Sequence, residues 1–223
     1  MTNKIKISDL YRDIPGLLSS LFSSHLYPWE ILPDIKDYLF SLIASAPHSY
    51  MLTENNILIG ENVKIHPSAV IEGPCIIGHG SEIRPNAFIR GSVFIGNDCV
   101  IGNSSELKNC ILLDKVQVPH YNYVGDSILG YCAHMGAGSI CSNLKSDKQS
   151  VVIHSSENID TKLRKVGAFL ADGADIGCGS VLNPGTVVGR NTRVYPLTML
   201  RGVYPENSIV KSTKEITPIT CSE

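Results

Sequence analysis

IGENVKIHPSAVIEGPCIIGHGSEIRPNAFIRGSVFIGNDCVIGNSSEL, residues 59–107, repeats with a period of six. Ile59, Ile65, Ile71, Ile77, Ile83, Ile89, Ile95, Ile101 and Leu107 fall on the beat, and Leu113 extends it. Four residues after each beat come Val63, Ala69, Cys75, Ser81, Ala87, Val93, Cys99, Ser105 and Ile111, mostly small and none charged. An amphipathic helix needs apolar spacings of three and four, and a lone strand needs two. A period of six fits a solenoid of very short parallel strands joined by tight turns. The aliphatic residue fills the interior and the small one fits beside it at the corner. Gly60, Gly78, Gly96 and Gly102 each follow a beat residue and read as turn glycines with unusual dihedrals.

The beat returns at Leu129 and Met135, and again at Leu170, Ile176, Leu182, Val188, Val194 and Leu200. Residues 1–50 do not keep it. DIPGLLSSLFSS and PDIKDYLFSLI show helical spacing, with Pro15 and Pro33 where first turns accept proline. They predict two or three short helices capping the strand edges at the N-terminal end of the solenoid. Trp29 reads as a packing anchor. Residues 141–166 also leave the beat; SVVIH and IDTKLRKV suggest a hairpin that reaches a neighbouring subunit, and a loop this long is usually functional. The organisation is therefore a helical cap at 1–56, a solenoid at 57–210 with its excursion at 141–166, and a loosely held tail at 211–223.

Bulk properties narrow the partners. A net charge of −2 over 223 residues argues against nucleic acid and against an anionic membrane surface. No apolar run is long enough to span a bilayer, and the first residues lack the apolar core of a signal peptide. Seven cysteines stand singly (Cys75, Cys99, Cys110, Cys132, Cys141, Cys178, Cys221), without a CxxC pair. They read as reduced thiols of a cytoplasmic protein, several used as small core residues.

On these residues the chain resembles the hexapeptide-repeat family. That resemblance implies a mainly β fold, the left-handed parallel β-helix of triangular section, with three hexapeptides per coil and usually three subunits per assembly. The hand is an exception to the right-handed crossover rule. Residues 18 apart then stack on adjacent rungs, about 4.8 Å from one another.

By that arithmetic Glu72, Arg90 and Lys108 form one column. Stacked cations repel by roughly 3 kcal/mol at an effective dielectric of 20. Either Glu72 pairs with Arg90 while Lys108 stays solvated, or the two cations clamp a phosphate or carboxylate. The step from Leu113 to Leu129 is not a multiple of six, so the register slips within VPHYNYVGDSILG, residues 118–130. A slip can free a side chain from its regular direction. His120 stands there, with Tyr121 and Tyr123, and histidine is the natural general base near neutral pH.

The run ELKNCILLDKVQVPHYNYVGDSILGYCAHMGAGSICSNLKSDK, with the later GAFLADGADIGCGSVLNPGTVVG, resembles a narrower group. It is the acetyltransferase domain of the bifunctional glucosamine-1-phosphate acetyltransferase/N-acetylglucosamine-1-phosphate uridyltransferase family, over about residues 57–210. The nucleotide-transferring domain of that family has no counterpart in the sequence. The resemblance implies His120 as general base and Glu106 as the residue orienting it. It implies Arg90 and Lys108 gripping a sugar phosphate, with Tyr123 and Asn143 on the amino sugar. It implies acetyl-CoA as co-substrate, with Ala137, Ala171, Ser180 and Lys211 as contacts, and no metal. The partners implied are a small amino-sugar phosphate and a homotrimer. The family has asparagine where this chain has His134, and the bacterial enzymes have tyrosine where it has Leu144. Backbone amides at residues 136–138 would stabilise the oxyanion, and Lys162, Arg164 and Lys165 either meet coenzyme A or form a solvated patch.

Two other readings stay open. A γ-class carbonic anhydrase needs closely spaced zinc histidines, and the seven histidines show no such pair. A sugar-nucleotide-binding or scaffold protein could keep the solenoid without catalysis.

Overall fold

The computed structural model describes residues 4–212 and 215–218. Among them the chain winds into a parallel β-helix of about 9 turns, of the left-handed hexapeptide type. Its strands sort into three faces. Face I runs from Met51–Leu52 and Ile57–Ile59 to Val203–Tyr204. Face II runs from Lys64–Ile65 through Gln117–His120 to Ser208–Ser212 and Glu215–Pro218. Face III stacks Val70–Glu72, Phe88–Arg90, Glu106–Lys108, Tyr123–Gly125, Ile140–Cys141, Val181–Leu182 and Met199–Leu200.

The beat builds the interior. Ile77, Ile83, Ile89, Ile95, Ile101, Leu107, Leu129, Met135, Leu170, Ile176, Leu182, Val188, Val194 and Leu200 share one buried core. Each such side chain contributes about 1.5–3 kcal/mol by leaving water. Ile59 and Ile71 are only partly buried, because no rung lies beneath the first coil of faces II and III.

Three expectations about the repeat are corrected. Leu113 is not an interior residue: Leu112 takes the slot, in register with Ile95, and Leu113 faces the outer core. Rows step by 18 from Ile89 to Leu107 but by 17 from Val93 to Cys110. One residue is missing at the corner of Asn109, and the same shortening recurs at Asp126. Both corners are left-handed, with φ of 46° and 48°. They stack, and Asn109 Nδ2 donates to Asp126 Oδ1 at 2.9 Å. Val118 and Val124 keep their six-residue spacing, so His120 is not at the break. Nor do Gly60, Gly78, Gly96 and Gly102 adopt positive φ. They are needed for close approach: a Cβ on Gly102 would lie 1.4 Å from the Pro119 carbonyl oxygen of the next rung.

The N-terminal segment folds as α1 (Ile7–Leu10), a 3-10 turn (Gly16–Leu18), α2 (Ser19–Ser23), α3 (Pro28–Ile31) and α4 (Ile35–Ala44). It covers the flank of face I rather than the end of the helix. The reason is the outward row Leu58, Ile76, Phe94, Ile111, Ile128, Phe169 and Val187, which is apolar at every rung and is buried with Leu18, Phe22, Ile31, Ile35 and Leu39. Trp29 is 3% exposed, stacks on Tyr27 at 4.5 Å and packs near Phe169. It is an anchor.

The excursion contains an antiparallel hairpin, Val152–Ile153 against Ile159–Asp160. Its Val151, Ile153 and Val166 are buried with Phe169 and Val187 of the same chain, so the loop folds back on its own coil. Glu215–Pro218 pairs with Ser208–Ser212, giving the start of the tail a strand. Cys75, Cys99, Cys110 and Cys141 are buried free thiols, and Cys132 and Cys178 are exposed. Cys221 and the end of the tail lie outside the described residues. No helix among the described residues is long and apolar enough to cross a membrane.

Candidate active site

Face III alternates outward, inward and outward along each three-residue strand. Its outward pairs, from the bottom, are Val70 and Glu72, Phe88 and Arg90, Glu106 and Lys108, then Tyr123 and Gly125. The column expected from the repeat is therefore present, with Arg90 above Glu72 and Lys108 in line above Arg90.

The charge pairing differs from the reading in which Glu72 pairs with Arg90 and Lys108 is solvated. Arg90 Nη1 bonds Glu106 Oε1 at 2.6 Å, not Glu72. Its guanidinium lies over the Phe88 ring, 5.8 Å from the centroid. The hydrogen bond and the charge of Glu106 raise the Arg90 pKa further. Lys108 Nζ sits 3.8 Å from Asp126 Oδ2, an ion pair rather than a solvated cation. Glu106 thus holds Arg90 and makes no bond to His120. The role implied for it as the orienting residue has no contact here, because its carboxylate projects along face III while His120 leaves the chain at the corner before that face.

Asp126 organises the next rung. Its side chain is only 7% exposed. It accepts from Asn109 Nδ2 at 2.9 Å and from Asn143 Nδ2 at 2.5 Å. Asn143 Nδ2 also donates to the Tyr123 hydroxyl at 3.1 Å. Burial, then Asp126 and Glu106, raises the Tyr123 pKa, and its hydroxyl proton has no acceptor among the described residues. Gly125 makes room for this pair: a Cβ there would lie 2.5 Å from Tyr123 Oη and 2.7 Å from Asn143 Nδ2. Lys108, Tyr123 and Asn143 are thus brought together through Asp126, which the sequence reading did not select. The shortened corner at residue 126 was its signal.

His120 ends Gln117–His120 on face II, one corner away from Tyr123. It is exposed, and among the described residues its ring has no hydrogen-bond partner. The corner itself is rigid. Asn122, 3% exposed, accepts the His120 backbone N–H at 3.0 Å. Its Nδ2 reaches the carbonyls of Gly136 at 2.8 Å and Ser139 at 3.2 Å, and Ser139 Oγ at 3.1 Å. Asn122 continues an interior column of small polar corner residues with Ser105 and Ser139.

The residues expected to meet acetyl-CoA divide. Ala137 is exposed on the rung above His120, where Gly138 N donates to the His120 carbonyl at 3.0 Å. Gly136 N is also bonded, to the Ile176 carbonyl. Of the amides at residues 136–138, only that of Ala137 lacks an acceptor among the described residues. Ala171 is fully buried beneath the N-terminal segment, where Leu10 O accepts from Asp172 N. Ser180 is also fully buried, its Oγ donating to Tyr195 O at 3.1 Å. Neither side chain can line a slot on this chain's surface. Lys211 is exposed and pairs with Glu215 at 2.8 Å.

His134 lies on face II, in register with Gln117. That places it at the other end of the strand row from His120, about 10 Å along. Its Nδ1 bonds Asp175 Oδ1 at 2.8 Å. Among the described residues no group of three or more His, Cys, Asp or Glu side chains could hold a metal ion.

Comparison with known proteins agrees with this architecture. Residues 71–163 match the family model described as GMPPB C-terminal domain. The chain is 37% identical over 196 residues to the bifunctional protein GlmU of Methanococcus maripaludis strain C7, covering 85% of this chain and 47% of that protein. It thus spans about half the length of the curated relatives it matches first. It is 34% identical over 154 residues to YaiX of Escherichia coli K12, named as an uncharacterized acetyltransferase, covering 69% of this chain and 67% of that protein. Among solved structures, the acetyltransferase domain of PglB from Neisseria gonorrhoeae aligns with a TM-score of 0.40 at 18% identity, covering 73% of this chain and 57% of that one. With the six-residue core, the match to YaiX shows that the chain belongs to the hexapeptide-repeat acetyltransferases, and it resembles the acetyltransferase half of GlmU.

Proposed function

We propose that the chain is an acetyl-CoA-dependent N-acetyltransferase acting on an amino-sugar phosphate such as glucosamine-1-phosphate, as a cytoplasmic homotrimer. The observation that carries this reading is the free imidazole of His120 beside a face bearing Arg90, Lys108, Tyr123 and Asn143.

Arg90 and Lys108 hold the sugar phosphate, and Tyr123 donates to a sugar oxygen. That fixes the amine near His120, which is the entropic part of catalysis. The amine nitrogen attacks the thioester carbonyl carbon while His120 takes its proton. The N–C bond forms, the C–S bond breaks, and the thiolate leaves to be protonated. The free amide of Ala137, one rung above His120, donates to the developing oxyanion. The burial of Ala171 and Ser180 leaves this chain's own surface with few cofactor contacts, which supports a homotrimer in which a neighbouring copy supplies the rest.

The test is thiol release from acetyl-CoA in the presence of glucosamine-1-phosphate and its amino-sugar isomers. His120→Ala should reduce kcat by at least about a hundredfold with unchanged melting and assembly. A His120→Ala protein as active as the wild type overturns the assignment. Ligand binding without any release across the panel favours the non-catalytic binding reading.

A further inference from the structure

Both cations of the proposed phosphate grip are already compensated. Arg90 is held by Glu106 and Lys108 by Asp126. Two uncompensated cations stand around the corner. Arg164 and Lys165, on the returning limb of the excursion, are exposed and have no carboxylate partner among the described residues. They line a cleft of about 420 Å³ with Leu32, Pro33, Leu163, Asn109 and Asp126.

The cleft is continuous with the candidate site. Asp126 lines it and is also the residue that meets Lys108 and Asn143. Val166 N, next to Lys165, donates to the Asn143 carbonyl at 3.0 Å, so the basic limb is fastened beside Tyr123. Leu32 and Pro33, from the connection between α3 and α4, also line it, and Leu32 O accepts from Asn109 Nδ2 at 3.3 Å. Two free cations thus share a cleft of small-molecule size with apolar side chains. Free cations attract phosphate oxygens, and an apolar wall suits the face of a nucleobase. A sugar monophosphate seated on Arg90 and Lys108 would leave both features unused.

We infer that this cleft binds the nucleoside diphosphate part of a substrate, with a phosphate on Arg164 and Lys165 and the base against Leu32, Pro33 and Leu163. The orientation of the sugar toward Tyr123 rests on the function proposed above; the binding itself does not. Two substrates carry this chemistry, a nucleotide-linked amino sugar and coenzyme A.

Isothermal titration of the full chain with UDP, GDP and coenzyme A separates them. The wild type binds at least one of the three. Arg164→Ala/Lys165→Ala binds that ligand at least about tenfold more weakly, as expected for lost charge-assisted hydrogen bonds. Lys162→Ala serves as the control, because Lys162 is 82% exposed and engaged with Asp160, and its affinity stays at the wild-type value. Loss confined to UDP or GDP assigns the cleft to the acceptor; loss confined to coenzyme A assigns it to the acetyl donor. Arg164→Glu, a single reversal on an exposed side chain, weakens the same ligand further. No binding of any of the three, or equal binding by wild type and double variant, overturns the inference. A wild-type chain that binds but does not transfer acetyl refutes only the proposed activity.

Discussion

Replacing Asn122 with alanine tests whether the corner carrying His120 is held by its buried amide. Asn122 accepts one bond, from His120 N, and its two amide protons are shared among Gly136 O, Ser139 O and Ser139 Oγ. Three net hydrogen bonds at about 1 kcal/mol each give a loss of about 3 kcal/mol. Gly136 O is not orphaned, because Ser139 Oγ still donates to it at 2.7 Å. Ser139 O and the His120 amide do lose this side-chain partner. In urea denaturation at one fixed protein concentration, a slope of about 3 kcal/mol/M converts the loss into a midpoint shift of about 1 M. Asn122→Asp keeps the acceptor toward His120 but turns a carboxylate oxygen toward two carbonyls, so its shift should be at least as large. A shift under about 0.2 M for Asn122→Ala, or a wild-type midpoint for Asn122→Asp, would refute the reasoning.

Two further outcomes follow from the charges and thiols. Lys4 and Arg190, the latter at 2.6 Å, hold the Glu206 carboxyl below its ordinary pKa of 4.5. The unfolded chain therefore binds the proton first, so this stability is full above about pH 4.5 and is lost as pH falls through the folded value. Melting scans should show Glu206→Gln less stable than wild type at neutral pH and close to it near pH 3; an equal gap at both would exclude the linkage. Burial pushes the Cys99 and Cys141 thiols up to about 12 and raises Cys75 and Cys110 as well. Iodoacetamide on the native protein, mapped by mass spectrometry, should label Cys132 and Cys178 and spare these four; labelling of Cys110 before Cys178 would contradict the packing.

The coil was legible because its period is a property of the chain. Each rung needs an aliphatic residue inside and a small one at the corner, so the pattern survives without any knowledge of contacts. The same logic stacked Lys108 on Arg90, and it also contained a warning that went unused. Ser180 lies four residues after Ile176, in the small interior slot, so its burial followed from the beat. The register between Leu107 and Leu129 was not legible. Ile111, Leu112 and Leu113 are all aliphatic, so one residue could be removed at Asn109 without leaving a gap in the pattern.

What the tertiary structure alone decided is which partner each side chain meets. Arg90 had Glu72 beneath it in the column, yet Glu106 on the next rung reaches it. The choice depends on side-chain direction across a face, which spacing does not encode. Asp126 carried no assigned role in the sequence, but a shortened corner buries it among Lys108, Asn109 and Asn143. Ala171 matched a motif and then disappeared beneath the N-terminal segment, because the apolar row of face I recruits those helices to its flank. Periodicity is local and repeats along the chain; burial and charge pairing depend on segments far apart in sequence, which come together only when the coil closes and its flank is covered.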